Sequence, residues 1–482
     1  MKISGIEKAT WVLFLLSLVI FPGISTLAQQ EPAEDSETDS EPGNIRVLHF
    51  ERPLALEDIE AGRIILDSVP FGQSVTLPVS TATSYLVNLA PNDSAYLRRL
   101  RDIESYEQVL EQLEYNGGAW SVELAEELEA LGSLLYEQGA FEESIQVLER
   151  AVHVNRVNYG LYSPQQIPLV ERQIAGHIAL DQWREADTLQ QYAFYAQNRA
   201  FGATDPRMIS VYQRLARWNL VLFFRQVDAD PAPRLLQTYQ LFRAAAGGVR
   251  AHFGPRDPLY TSLLRDMAGA SDMLGRYALP GSATPTAGNP ELRTVRTDYA
   301  GGDFGTRATS RDSGGEQALL RLIEHHKRRQ DPSGEAFLAR VEAMAVLGDW
   351  YQMHNRRQAA LRAYEDAYRA LAEHENAAEL LEKQFARIVF LPTFSTFDEQ
   401  KKQALGLSPD SGARQGYIDL SFNVSKYGRV SNLQVLAKEP AGVERVDVQV
   451  ASHLRAYTIR PRIKDGVTVD SEGERYRFPF WY

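Results

Sequence analysis

The chain of 482 residues contains no cysteine. That excludes structural disulfides, thiolate metal sites and cysteine nucleophiles, and it closes the lipid-anchored route to a bacterial membrane, which needs a cysteine at the cleavage site. Long apolar runs are missing after residue 28: no later segment approaches the roughly 20 apolar residues of a spanning helix. Basic residues are in deficit, with 51 Lys and Arg against 63 Asp and Glu, a net charge of −12. Such an acidic chain is a poor default binder of nucleic acid or anionic lipid.

Catalytic signatures are lacking as well. There is no Gly-x-Ser-x-Gly elbow, P-loop or dinucleotide fingerprint. The stretch "HENAA" from His374 has Ala378 where a zinc-protease motif needs its second histidine. His325 and His326, beside Glu324, are adjacent on a helical pattern, so they point about 100° apart and cannot share one face. They read as part of a solvated charged face. No enzymatic chemistry is expected, and no cofactor or metal is implied.

What is present begins with "MKISGIEKATWVLFLLSLVIFPGISTLAQQ". A basic start at Lys2 and Lys8, an apolar run from Trp11 to Phe21 and a small-residue exit at Thr26-Leu27-Ala28 make a secretory signal peptide, cleaved after Ala28; the alternative is an uncleaved anchor. Residues 29–44 follow, carrying "EPAEDSETDSEPG", which reads as an acidic disordered spacer. Residues 45–92 hold short β-leaning runs, "IRVLHF", "RIILDSV" and "SVTLPV". With 44% hydrophobic residues the remainder is ordinary globular protein.

From about Asp93 the apolar period becomes helical. Leu124, Leu128, Leu131 and Leu135, then Ile145, Leu148 and Val152, describe two amphipathic helices broken at Gly139. The same hairpin pattern returns downstream in "VEAMAVLGDWYQMHNRRQAALRAYEDAYRALA". Leu131-Gly132, Gly139, Phe141 and Ala151 in the first hairpin, and Leu347-Gly348, Tyr351, Ala360, Tyr364 and Ala367 in the second, resemble the tetratricopeptide repeat (TPR), a helix-turn-helix unit. The resemblance covers most of residues 95–386 and implies an α-solenoid.

Three spacers punctuate this region: "YGLYSPQ" from Tyr159, "FGATDPR" from Phe201 and "FGPRDPL" from Phe253. In each, a Gly can take the left-handed conformation that closes a helix. Ser163, Asp205 or Asp257 can then accept from a free N–H, and Pro164, Pro206 or Pro258 can enter the next first turn. The underlying period is 42 residues, and a ten-residue excess in the second interval is assigned to an inserted loop, Arg225 to Arg234. These long units resemble TPR arrays of the kinesin light chain type. Residues 280–314, rich in Pro, Gly, Ser and Thr, read as a linker interrupting the array, which resumes over 315–387.

From Gln415 the period falls to two: Ile418, Leu420, Phe422 and Val424 alternate in a first strand and a hairpin return follows. "VDVQVASHLRAYTIRPR" reads as a helix, and "RYRFPFWY" closes as a strand with Tyr476, Phe478, Phe480 and Tyr482 on one face. Gly416, Phe422-x-Val424, Gly428-x-Val430, Val435, Val450 and Leu454, Arg460-Pro461 and Gly466 are similar in order and spacing to the C-terminal domain of TonB. That resemblance starts at Gly416 and lies within a domain placed at residues 388–482; it implies a small β-β-α-β sheet domain and recognition by pairing a sheet edge, either the closing strand or the Gly416–Val424 strand, with a partner's extended segment. The long Pro-rich linker of TonB proteins is absent, as is the Tyr-Pro that precedes the family's first helix.

The fold expected is therefore mainly α, a TPR α-solenoid over 93–279 and 315–387, with a small C-terminal α+β domain. The TPR resemblance implies a partner groove lined by Glu126, Glu129, Ser133 and Tyr136 in the first unit and by Glu342, Asp349 and Gln352 in the last. Its acids suit a basic or polar ligand. The function expected is a periplasmic, non-enzymatic scaffold that binds other envelope proteins or peptides in the groove and on the sheet edge, with no nucleic acid and no lipid anchor. Two other readings stand beside it, an atypical TonB-like energy transducer or adaptor for outer-membrane transporters, and an envelope hydrolase with an unfamiliar site.

Overall fold

The computed structural model describes residues 47–61, 94–277, 313–329, 334–407, 413–443 and 445–482. The signal peptide, the acidic spacer, the β-leaning runs between 63 and 79, and residues 280–312 of the linker lie outside the described residues. The chain is mainly helical, with a small sheet domain at its C-terminal end.

After β1 (His49–Phe50), β2 (Leu54–Ala55), α1 (Leu56–Glu60) and α2 (Ser94–Gly117) come helices in consecutive pairs. They are α3 (Glu123–Glu137) with α4 (Phe141–Tyr159), α5 (Ile167–Ala179) with α6 (Trp183–Phe201), α7 (Met208–Arg225) with α8 (Ala232–His252), α9 (Pro258–Tyr277) with α10 (Ser313–Lys327), and α11 (Glu335–Met353) with α12 (Arg357–Ala372), followed by α13 (Ala377–Phe385). Each pair packs on the next. Small residues set the approach within pairs: a Cβ on Gly132 would fall 2.7 Å from Leu148 Cγ, and one on Gly348 would fall 2.4 Å from a Tyr364 ring carbon. The Ser144 hydroxyl donates to the Gly132 carbonyl at 2.5 Å, and the Thr238 hydroxyl repeats this on Ala216 at 3.4 Å.

The three spacers fold alike. Gly160, Gly202 and Gly254 have φ of 96°, 84° and 88°. The Ser163 hydroxyl accepts from the Gln165 N–H at 3.2 Å, Asp205 Oδ1 from Arg207 at 2.8 Å, and Asp257 Oδ1 from Leu259 at 2.8 Å. The element stops one helix and starts the next. One detail differs from expectation: ψ of 159° at Gly160 and 149° at Gly202 puts them in the mirror-extended region and not in the helical left-handed one. The ten-residue excess is also not a loop alone. Only residues 226–231 separate α7 from α8, and the rest is helix, 18 residues in α7 against 13 in α5 and 21 in α8 against 19 in α6.

The C-terminal region comprises β3 (Val389–Leu391), α14 (Asp398–Ala404), β4 (Gln415–Val424), β5 (Val430–Glu439), α15 (Val446–Ala456), β6 (Thr458–Arg460), β7 (Ile463–Lys464), β8 (Val467–Thr468) and β9 (Ser471–Trp481). The sheet order is β1-β9-β4-β5, with β2 also on β9, and all of these pairings are antiparallel. The period-two reading holds: Ile418, Leu420, Phe422, Val424, Phe478 and Phe480 are buried on one face against Val450 and Leu454 of α15. Fully burying one such side chain is worth about 1.5–3 kcal/mol. The expected single helix over 446–462 is shorter. It stops at Ala456, and Thr458–Arg460 turns into a strand that pairs with β3.

Candidate interaction surfaces

In the first helix pair the expected groove residues are α3 side chains. Glu126 is exposed. Glu129 pairs with Arg172 of α5 at 3.4 Å, the Ser133 hydroxyl donates to the Glu129 carbonyl at 2.6 Å, and the Tyr136 ring meets Phe141 edge-on at 5.1 Å. In the last pair Glu342 is half exposed, 3.6 Å from Arg265 of α9. Gln352 donates to the Tyr427 carbonyl at 3.3 Å, in the turn between β4 and β5.

Asp349 corrects the expectation. It is fully buried and offers nothing to a ligand. Its carboxylate accepts from the Tyr364 hydroxyl at 2.9 Å and the Thr393 hydroxyl at 3.2 Å, and lies 3.4 Å from Arg460 of β6. Burial pushes its pKa up while Arg460 opposes the rise. An acid on a groove position normally faces water; this one is covered because the chain itself crosses over α11.

That crossing segment, Leu391 to Leu407, is the main feature that sequence reasoning missed. Leu391, Phe394, Phe397, Gln400, Ala404 and Leu407 are its buried residues. Phe394 packs 5.7 Å from the Trp350 ring of α11, and Phe397 stacks on Phe242 of α8 at 6.0 Å, with the rings within 3° of parallel. Gly269, inside α9, makes room: a Cβ there would fall 2.7 Å from Ser395 Cβ and 2.9 Å from a Phe397 ring carbon. The Ser395 hydroxyl donates to Asp266 at 3.4 Å, and Asp266 sits 3.8 Å from Arg217. Burial pushes the Asp266 carboxyl up to about 6, with Arg217 and then Ser395 working against it. Further along, Arg225 donates to the Ala404 carbonyl at 2.8 Å. The segment thus contacts α7, α9 and α11, the first helices of three successive pairs, and α8 through Phe242. The available signal was a pair of phenylalanines in "FSTF" beside a glycine within an otherwise regular helix.

The edges of the sheet also differ from expectation. β9 carries β4 on one side and β1 with β2 on the other, and β4 lies between β9 and β5, so neither strand expected to be open is an edge. The N-terminal strap is held at its rim by Asp58 with Arg387 at 2.6 Å, Glu60 with Arg475 at 2.6 Å and Glu51 with Lys402 at 3.1 Å. The Trp481 indole N–H donates to Glu51 at 2.7 Å, and Phe50 stacks on His453 at 4.8 Å. The outer side of β5 has no strand partner among the described residues. β5 is exposed along most of its length, including Val435 and Leu436, and register shifts interrupt its pairing with β4 in two places. Such irregularities blunt an edge against indiscriminate pairing.

Among the described residues there is no group of three or more His, Asp or Glu placed to hold a metal. His326 is buried, and that burial, with His325 next to it, lowers its pKa to about 4, so it stays neutral. An open cleft lies beside the end of α14, lined by Asp181, Trp183, Arg225, Gln226 and Leu405.

No protein-family model matches the chain, and no curated protein matches it. Among solved structures, the crystal structure of BtubC (BKLC) from P. vanneervenii is 13% identical, covering 59% of this chain and 95% of its own, with a TM-score of 0.28. At that score the likeness carries no weight for function, and what stands is a mainly helical, repeat-like chain with a small C-terminal sheet.

Proposed function

We propose that this chain is a non-enzymatic scaffold of the bacterial periplasm, a TPR-type array ending in a TonB-like domain, which holds envelope proteins together. The observation that carries the reading is the outer side of β5, ten residues long, without a strand partner among the described residues and joined through the Gln352–Tyr427 bond to the last helix pair. Unpaired N–H and C=O groups along such an edge accept an extended partner segment, and exposed side chains select it. The stacked helix pairs supply a second surface.

The test is co-purification of the tagged full chain from the cell envelope, with retained proteins identified by mass spectrometry, against a Val435→Glu/Leu436→Glu variant. Both side chains are about half exposed, so the fold tolerates the change. Partners held by the parent and lost by the variant support edge pairing. An identical partner set from both would remove β5 from the proposal. Outer-membrane transporters or inner-membrane motor subunits among the lost partners would favour the energy-transducing alternative.

A further inference from the structure

We propose that residues 391–407 are a ligand carried in cis, and that the surface they cover takes in trans an extended protein segment with two aromatic side chains three residues apart. The proposal rests on the reading of the helix pairs as a partner-binding scaffold and says what kind of partner they take.

The burial pattern is that of a peptide laid on a surface. Between the end of β3 at Leu391 and the start of α14 at Asp398 only Phe394 and Phe397 are buried, three residues apart, while Pro392, Thr393, Ser395 and Thr396 keep partial exposure. A strand inside a sheet would alternate every second residue. Phe394 and Phe397 enter the same apolar core as the helices, yet the stretch between β3 and α14 makes no regular backbone ladder with them. Its seat is also prepared on the array side. Gly269 removes the one side chain that would block Ser395 and Phe397, and Phe242 and Trp350 present ring surfaces to the two phenylalanines.

The polar groups beneath the segment are incompletely satisfied. Arg217 Nε and Asp266 Oδ2 are both buried without a hydrogen bond, and their charged groups approach only to 3.8 Å. Ser395 reaches Asp266 at 3.4 Å, a long bond for a hydroxyl. Buried polar atoms left unpaired are costly. A segment with a better-placed donor and acceptor between its aromatic residues would sit more favourably than the chain's own. Competition then follows: the apparent affinity for an external segment is reduced by the fraction of molecules whose own segment is seated.

The absence of cysteine makes a clean reporter possible. In the full chain carrying Ser395→Cys, the thiol is reacted with a maleimide dye, alone and with excess synthetic peptide of residues 389–407. The expected result is labelling accelerated about tenfold or more by the peptide, and unaffected by the same peptide with both phenylalanines replaced by alanine. In parallel, a Phe394→Ala/Phe397→Ala chain with unchanged helical circular dichroism is expected to bind the fluorescent peptide about tenfold tighter than the parent. A labelling rate indifferent to peptide, or no gain in binding by the variant, overturns the proposal. So does loss of helical structure in the variant, which would make the segment core and not ligand. Envelope partners that still co-purify with the parent in that case would leave the scaffold reading intact and remove only the cis-ligand.

Discussion

Replacing Gly160 or Gly202 by alanine isolates backbone strain from packing. At both positions a Cβ would meet no atom within 4 Å, so no clash contributes. The cost comes from φ near +90° combined with ψ near 150°, a region essentially reserved for glycine, where another residue pays about 1–3 kcal/mol. The two sites lie at the ends of different helices, α4 and α6, and their backbone hydrogen bonds go to different residues, so the double variant is expected to lose about 2–6 kcal/mol by addition. Asparagine, which tolerates the helical left-handed region, gains nothing at this ψ and is expected to be as damaging as alanine. Urea denaturation followed by circular dichroism at 222 nm reads the midpoint shift of each variant. A midpoint unchanged in Gly160→Ala, or restored in Gly160→Asn, would refute the strain argument and return the spacer to an ordinary left-handed cap.

Gly348→Ala, in contrast, acts through packing: its Cβ would press into the Tyr364 ring, and a loss of about 1–3 kcal/mol is expected in the same denaturation assay. Asp349→Ala strands Arg460, itself buried, and is expected to cost about 3–5 kcal/mol, whereas Asp349→Leu with Arg460→Met should return most of that stability. Burial lowers His49, His326 and His453 to about 4, so below pH 6.5 the unfolded chain binds more protons than the folded one and stability falls as the pH drops towards 4. For the buried His49 and His326 this amounts to roughly 3 kcal/mol each once the pH is below both values. Asp266, raised to about 6 by burial, acts in the opposite sense between pH 4 and 6, and so do Asp272 and Asp349, whose carboxyls burial also raises. A pH slope of the denaturation midpoint that is not reduced by His453→Phe would contradict the histidine argument.

Local patterns were legible wherever the physics is local. The period of the leucines located α3 and α4 and the break at Gly139; alternation located β4 and β9; the Gly and Asp or Ser of the spacers located helix ends. What escaped was set by distant partners. Asp349 reads as a water-facing acid because nothing near it in sequence is a cation, and it is buried because Arg460 arrives from β6. The helical pattern of α15 runs on past Ala456, but pairing of Thr458–Arg460 with β3 prevails over propensity. β1 falls in the β-leaning run "IRVLHF", but strands of two residues, as in β1 and β2, carry no signal of their partner, so the covering of the β9 edge could not be foreseen. The same holds for Phe397, whose seat depends on a glycine more than a hundred residues away.

The strap on β9 makes the sheet a closure between the two ends of the described chain: Glu51 bonds Trp481, a separation of 430 residues. Until the last strand is in place Phe50 lacks its ring partner Phe480, while the helix pairs, whose contacts are short in sequence, can assemble without it. Strand β9 therefore acts as a completion signal. A chain that lacks it leaves β1 and β2 unpaired too, so damage at residues 471–481 is felt at residues 49–55.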